Sequence, residues 1–180
     1  MTASHFLVET LFGLYLMVVI LRLWLQLVRA DFYNPFSQFV VKVTQPVVGP
    51  LRRFIPAIGK FDTATLVFAL LIACLKTFVI VALVRGLSID PVSLVIVGFI
   101  EVVKEVFNLM FWMLIIRALL SWVSQGQNPI ELVIAQLTEP FLRPIRKILP
   151  PIGGLDLSIL VAIIALQFVK LLLSQYIGAF

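Results

Sequence analysis

The chain has 180 residues and a formal net charge of +5; 62% of its residues are hydrophobic and only 13% are charged. Soluble domains average about 45–50% apolar and about 25% charged residues, so this composition excludes an ordinary water-soluble protein and predicts a membrane protein. The positive charges lie between apolar stretches, which predicts the bilayer and its anionic lipid headgroups as partners and no contact with nucleic acid. The single cysteine, Cys74, excludes an internal disulfide.

Four apolar stretches are long enough to cross the hydrocarbon layer, and lipid requires such stretches to be helical. They cover residues 6–28, 63–84, 102–123 and 157–177. A shorter apolar stretch, 92–100, follows Asp90 and Pro91, a pair typical of a helix start. It either extends the third span beyond the membrane or lies flat on the surface and bends near Gly98. We expect the flat, bent arrangement.

The sequence contains an internal repeat. A shift of 94 residues aligns 34–62 with 128–156, with ten identities in 29 positions. The identical pairs are Asn34/Asn128, Pro35/Pro129, Thr44/Thr138, Pro46/Pro140, Pro50/Pro144, Arg52/Arg146, Pro56/Pro150, Ile58/Ile152, Gly59/Gly153 and Asp62/Asp156. The same shift aligns Lys76 with Lys170, and a one-residue slip aligns Arg22 with Arg117. We therefore divide the chain into a first repeat, 1–86, and a second repeat, 87–180.

Each repeat holds two spans, so both enter the membrane from the same side as parallel hairpins. Residues 29–62 form the first loop and 124–156 the second loop. Both loops are rich in lysine and arginine, whereas the link between the repeats carries mixed charges. The positive-inside rule then places both loops in the cytoplasm and both termini outside. The predicted class is an all-α membrane protein of four transmembrane helices.

Each loop combines apolar residues with cations, the pattern of amphipathic helices that lie in the headgroup layer. In the first loop we expect two short helices, one opened by Asn34 and Pro35 and a second capped by Thr44 and interrupted at Pro50. The candidate lipid- or partner-binding cations are Arg52, Arg53, Arg143, Arg146 and Lys147. Asp62 and Asp156 precede the next spans and are predicted to cap them. The loops serve either to anchor the hairpins or to dock a cytoplasmic partner.

Charged residues inside spans are costly and are candidates for function. Those predicted here are Glu9, Arg22, Lys76, Glu105, Arg117 and Lys170. As a hypothesis, Glu9 and Glu105 neutralise Lys76 and Lys170 near the outer side, while Arg22 and Arg117 meet Asp62 and Asp156 or lipid phosphates near the inner side. These pairs either fix helix packing or line a polar path for ions; snorkelling to the surface is the third alternative.

Enzyme chemistry has no sequence support. The chain contains no P-loop, no G-x-S-x-G motif and no H-E-x-x-H motif, and its one histidine, His5, lies at the start of the first span. We predict no catalytic residue, no cofactor and no metal.

The repeated N-P…T-x-P…P-x-R-[RK]…P-x-x-G…D loop between two spans resembles the YggT family. Arg117, Ser121 and Trp122 match that family's R-x-x-x-S-W signature, which the first repeat lacks after Arg22. The resemblance covers essentially the whole chain as two YggT units. It implies a bacterial inner-membrane protein and tolerance of osmotic stress through ion or potassium homeostasis. The alternative that it implies is a scaffold that organises membrane or division-related complexes.

Four spans make a thin bundle, so a water-filled path would require a homo-oligomer or another membrane protein. The cations of the loops would repel cations at its mouth, which favours anion passage or a role beside another transporter.

Overall fold

A computed structural model describes residues 2–86, 89–123, 128–149 and 156–177. Within these residues the chain is all-α, with six helices. They are α1 (Ala3–Val28), α2 (Pro35–Phe54), α3 (Thr63–Arg85), α4 (Pro91–Val123), α5 (Pro129–Ile148) and α6 (Leu157–Ile177). Three of the described helical stretches are long and apolar enough to cross a membrane: Ala3–Val28, Thr63–Val84 and Leu157–Ile177.

Helix α4 shows that the expected flat, bent segment at 92–100 is wrong. It runs without interruption from Pro91 to Val123, so 92–100 extends the helix that carries the third predicted span. Gly98 is needed for close packing instead of a bend: a Cβ atom there would lie 2.5 Å from Cys74 Sγ and 3.2 Å from the Cys74 backbone nitrogen. The glycine therefore lets α4 cross α3 at close range, as small residues do where membrane helices approach one another.

Each loop contains one long helix, which contradicts the two short helices predicted for the first loop. Pro46 and Pro50 lie inside α2, and Pro140 and Pro144 lie inside α5. A proline removes one intrahelical hydrogen bond, but all four lie on the exposed side of their helices, where the freed carbonyl groups need no protein partner.

The first loop then turns sharply toward α3. Ile58 and Phe61 exchange two backbone hydrogen bonds of 3.0 Å each, and Gly59 adopts a φ of +61° that glycine tolerates without strain. In the second loop, the matching positions Pro150, Ile152 and Gly153 lie outside the described residues, as does the side chain of Trp122.

The chain forms two compact units that do not coincide with the repeats. Unit 1 comprises Met1–Gln26 and Val40–Val106. Its core is formed by α1, α2, α3 and the beginning of α4, with buried side chains at Leu16, Val19, Ile20, Val40, Val48, Phe68, Ile72 and Val102. The close crossing of α4 on α3 explains why this part of the second repeat belongs to unit 1.

Unit 2 comprises Leu27–Phe39 and Phe107–Phe180. Its core includes Leu114, Leu142, Ile159 and Ala162 from α4, α5 and α6. The beginning of the first loop belongs here because Asn34 Nδ2 donates to the Pro129 carbonyl at 2.6 Å and the Asp31 N–H donates to Gln136 Oε1 at 3.0 Å.

Candidate functional site

An arginine–aspartate ion pair joins α2 to the start of α3. Asp62 is fully buried and caps α3, since its Oδ1 accepts a hydrogen bond of 3.3 Å from the Thr65 N–H. Its Oδ2 accepts hydrogen bonds from Arg52 Nε at 3.2 Å, Arg52 Nη2 at 2.5 Å and the Thr65 hydroxyl at 2.5 Å. Burial disfavours the charge, but the bonds and charge of Arg52 and the bonds of Thr65 outweigh it and hold the pKa of Asp62 below its ordinary value.

The second repeat contains the same pair at the shifted positions. Arg146 Nε and Nη2 donate to Asp156 Oδ2 at 3.0 and 2.5 Å, and the N–H of Ser158 donates to Asp156 Oδ1 at 3.1 Å. Burial disfavours the carboxylate, but the Ser158 hydroxyl and Arg146 outweigh it and lower the pKa of Asp156. Burial also disfavours the guanidinium, yet Asp156 and Glu139 raise the pKa of Arg146 above its ordinary value. Each pair fixes an amphipathic helix to the first turn of the next helix.

Arg22 is buried in α1, and the hydrogen-bond acceptors found for it among the described residues are all neutral. Its Nη1 donates to Thr44 Oγ1 at 2.8 Å and to the Val41 carbonyl at 3.4 Å, and its Nη2 donates to Gln45 Oε1 at 2.7 Å. The hypothesis that Arg22 meets Asp62 does not hold as a direct contact among the described residues, because Arg52 binds the aspartate and α2 supplies the arginine's acceptors. Arg22 and Asp62 still attract one another by charge. Thr44 bridges rather than caps: its hydroxyl donates to the Val40 carbonyl at 2.7 Å while it accepts from Arg22.

Arg117 differs from its counterpart in the first repeat. It is half-buried in α4, and neither a hydrogen bond nor an ion pair of Arg117 is found in the part of the chain that the structure describes. Asp156 is bound by Arg146, and the predicted Arg117–Asp156 pair is not found among the described residues. Ser121, the described residue that follows in the family signature, is exposed and donates to the Ala118 carbonyl at 2.7 Å.

An ion pair lies within unit 1 beside the crossing of α3 and α4. The Lys76 side chain is 9% exposed, and its Nζ lies 3.5 Å from Glu101 Oε1. The extension of α4 brings Glu101 beside this lysine, a partner that the hypothesis did not name, and no ion pair of Lys76 with Glu9 is found among the described residues. Glu9 instead lies on α1 with Oε2 at 3.4 Å from His5 Nδ1, and Glu105 is half-buried on α4.

Lys170, the counterpart of Lys76, is half-buried on α6. Among the described residues it has no ion pair, so the predicted outer pairing to a glutamate is not found for it either. The two lysines that the repeat aligns thus differ in environment, as the two arginines do.

The predicted loop cations separate into two groups. Arg52 and Arg146 bind the aspartates, whereas Arg53, Arg143 and Lys147 are exposed, together with Lys42. Large apolar side chains are exposed on the same two helices at Phe39, Val43, Val47, Phe54, Ile130, Leu132, Phe141 and Ile148. Exposed cations beside exposed apolar side chains are typical of helices in the headgroup layer.

The pairing residues Thr44, Gln45, Glu101 and Glu139 were missed by the sequence argument. One signal was present: arginine and aspartate recur ten positions apart in both loops, as Arg52/Asp62 and Arg146/Asp156. For metal binding, the residues in the described ranges contain no group of three histidine, cysteine, aspartate or glutamate side chains that could hold an ion.

Comparison with known proteins shows to which family the chain is similar. The family model described as CCB3/YggT matches residues 1–83 and 96–177. An uncharacterized protein in the proC 3′ region of Vibrio alginolyticus is 54% identical over 179 residues, covering 99% of this chain and 97% of its own length. The uncharacterized protein YggT of Escherichia coli K12 is 45% identical, with 99% and 93% covered. An uncharacterized protein of Pseudomonas aeruginosa is 43% identical over 180 residues, with 99% and 91% covered. No solved structure matches the chain.

Proposed function

The chain belongs to the CCB3/YggT family of membrane proteins, and we propose that it is a non-enzymatic protein of the bacterial inner membrane with four spans in two parallel hairpins. The span beyond the three found by length and composition is 102–123 within α4, where Arg117 is the only charged residue after Glu105. The two segments matched by the family model, 1–83 and 96–177, support one hairpin in each repeat.

The charges support a cytoplasmic position for both loops. The exposed cations Lys42, Arg53, Arg143 and Lys147 lie on α2 and α5, between the helices that serve as spans in each repeat. The positive-inside rule then places the termini on the periplasmic side.

The topology is tested with single cysteines in a Cys74→Ala background. In spheroplasts, a membrane-impermeant maleimide is expected to label Thr2→Cys, whereas Lys42→Cys and Lys147→Cys label only after lysis. Labelling of one loop from outside would contradict the parallel arrangement.

The function that the geometry supports best is that of a scaffold at the cytoplasmic surface, which contributes to osmotic-stress tolerance. The observation that carries this proposal is the duplicated ion pair of Arg52 with Asp62 and of Arg146 with Asp156. Each pair fixes a basic amphipathic helix at the foot of the next span. The remaining exposed cations are then held in place at the headgroup layer, available to anionic lipid and to membrane-protein partners.

The scaffold is tested by growth of a strain that lacks the protein after an osmotic upshift. We expect a quadruple variant, Lys42→Gln, Arg53→Gln, Arg143→Gln and Lys147→Gln, to fail to restore growth at wild-type membrane levels. The matched control exchanges lysine and arginine at the same four positions, keeps every charge and should restore growth. Full rescue by the glutamine variant would contradict the proposal.

Ion homeostasis is the second candidate, and it is favoured by the cations inside apolar helices. Lys76 forms an ion pair with Glu101 and Lys170 is half-buried without an ion pair among the described residues, an arrangement that is costly in lipid unless it is used. A conducting path would require two or more copies or another membrane protein beside this one.

This candidate is tested with purified protein in liposomes under an osmotic gradient. Potassium or chloride flux that falls with Arg22→Gln or Arg117→Gln would support conduction. No flux from liposomes, combined with loss of osmotic tolerance in the quadruple glutamine variant, would support the scaffold.

A further inference from the structure

Unit 2 contains an apolar groove of about 320 Å³ between α4, α5 and α6. Its walls include Met110 and Leu114 on α4, Phe141 and Pro144 on α5, and Ala165 on α6. Apolar grooves of this kind accept hydrocarbon, since burying apolar surface needs no directional partner.

The two repeats differ in side-chain size at several positions of the groove wall. Ala162 and Ala165 on the α6 wall align with Phe68 and Leu71 of the first repeat at the shift of 94 residues. Met110 aligns with Tyr15 at the shift that aligns Arg22 with Arg117. In unit 1 Phe68 packs edge-on against Tyr15, with ring centroids 6.0 Å apart. At these three positions the first repeat has larger side chains than the groove, whereas at the wall residue Phe141 the first repeat has the smaller Val47.

Two exposed cations lie beside the groove. Arg143 and Lys147 come three residues after the wall residues Pro140 and Pro144, so they lie on the same side of α5, about one turn further along. No ion pair of either cation is found among the described residues. At the first of these two positions the first repeat has Gly49 instead of an arginine, so the paired cations are specific to α5.

We propose that this groove binds one anionic phospholipid, with an acyl chain between α4, α5 and α6 and the phosphate on Arg143 and Lys147. Charge complementarity selects the occupant: two cations at the edge of an apolar groove match a negative headgroup attached to hydrocarbon. The inference rests on the proposed placement of α5 in the headgroup layer and names the ligand of that surface.

The test is native mass spectrometry of the full chain in detergent with phosphatidylglycerol or phosphatidylcholine of identical acyl chains. Phosphatidylglycerol is expected to remain bound at least about fivefold more than phosphatidylcholine, the effect of about 1 kcal/mol for one cation. Arg143→Gln with Lys147→Gln should abolish this preference. The matched control Arg143→Lys with Lys147→Arg keeps both charges at the edge of the groove and should retain it.

The groove is tested separately by filling it. Ala165→Leu installs the residue that the first repeat has at this position, and it should lower retention of phosphatidylglycerol about tenfold, equivalent to about 1.4 kcal/mol. Because Ala165 is exposed, the larger side chain should not disturb packing; Val169→Phe is the second filling variant if Ala165→Leu does not fold. Excess inorganic phosphate should not displace the lipid, since it lacks the acyl chain.

Three outcomes would overturn the inference: equal retention of both lipids, full retention in both filling variants, or displacement by inorganic phosphate. Because binding in detergent does not depend on membrane sidedness, lipid retention and the maleimide experiment fail independently. A loop labelled from outside with lipid still retained would overturn the topology alone.

Discussion

The two repeats share the arginine–aspartate pair at the end of each loop, but they differ in the contacts of the cations within their apolar helices. The arginine–aspartate pair at the end of each loop is the same in both, down to the two nitrogens that bind one carboxylate oxygen. The cations within the apolar helices differ. Arg22 and Lys76 of the first repeat are buried against acceptors, whereas Arg117 and Lys170 of the second repeat are half-buried without hydrogen bonds or ion pairs in the described ranges.

This comparison separates what the duplication keeps from what it changes. A pair that fixes a helix to the next span is needed wherever a hairpin is anchored, so both copies keep it. The cations in the apolar helices differ: among the described residues, those of the second repeat form no hydrogen bond or ion pair that joins two helices. We infer that packing of the first repeat depends more on Arg22 and Lys76 than packing of the second repeat depends on Arg117 and Lys170.

The largest expected difference is between Lys76→Met and Lys170→Met. Lys76 is the buried member of its ion pair, with 9% of its side chain exposed against 25% for Glu101. Removing Lys76 leaves the partly buried Glu101 carboxylate without its partner and should lower the free energy of unfolding by about 2–3 kcal/mol. Lys170→Met removes no pair and should change it by less than about 0.5 kcal/mol. Both are measured by unfolding with SDS in mixed micelles.

The double variant Lys76→Met with Glu101→Gln is the control for this pair. It leaves no unpaired carboxylate, so it should recover most of the loss caused by Lys76→Met. Equal destabilisation by the two single lysine variants would remove the distinction between the repeats at this position.

The next largest expected effect is the difference in stability lost when each of the two loop aspartates is replaced. Asp62→Asn should cost about 2 kcal/mol, because Asp62 is fully buried and binds Arg52 through a charged hydrogen bond. Asp156→Asn should cost about 1 kcal/mol, since the Asp156 side chain is 24% exposed and solvent screens its pair with Arg146. The same unfolding titration measures both, and a larger loss for Asp156→Asn would contradict burial as the cause.

How much the sequence could predict depends on the kind of contact. Helical class, the repeat and the membrane character follow from composition and periodicity, because they are averages over many residues. Asp62 could be placed at a helix start because capping is local. Its partner Arg52, ten residues away on another helix, depends on how α2 packs against α3, which sequence spacing alone does not determine.

Helix α4 shows the same limit. The sequence places Gly98 within an apolar run, and a bend was the local explanation. The close approach to Cys74 is a tertiary contact, and it decides both the continuity of α4 and the pairing of Glu101 with Lys76. Predicted pairings between helices therefore failed, and so did the local predictions of a bend at Gly98 and of two short helices in the first loop, whereas the cap at Asp62 was placed correctly.

A smaller effect is expected from exchanging one residue between the repeats. Gln45 and Glu139 align, and Gln45 gives Arg22 a neutral acceptor at 2.7 Å. Gln45→Glu would supply the buried guanidinium with a counter-charge and should stabilise the protein by about 0.5–1 kcal/mol. Glu139→Gln should cost less than about 0.5 kcal/mol, because the Glu139 side chain is 45% exposed and Arg146 keeps Asp156. A destabilising Gln45→Glu would show that the first repeat requires an acceptor without charge.

The smallest expected effect is the change in unfolding free energy with pH that arises from Asp62 and Asp156, and near neutral pH it is close to zero. A carboxylate whose pKa is lowered by folding contributes stability that is fully present above its unfolded pKa and is lost as pH falls through the folded pKa. Asp62 and Asp156 both have lowered pKa values, so stability from these pairs should be flat between about pH 5 and 8 and should decrease below about pH 4. The difference in unfolding free energy between the wild type and Asp62→Asn should therefore shrink on acidification. If that difference grew as the pH fell, folding would raise the pKa of Asp62 instead of lowering it. The effect of burial on this pKa would then exceed the effect of Arg52.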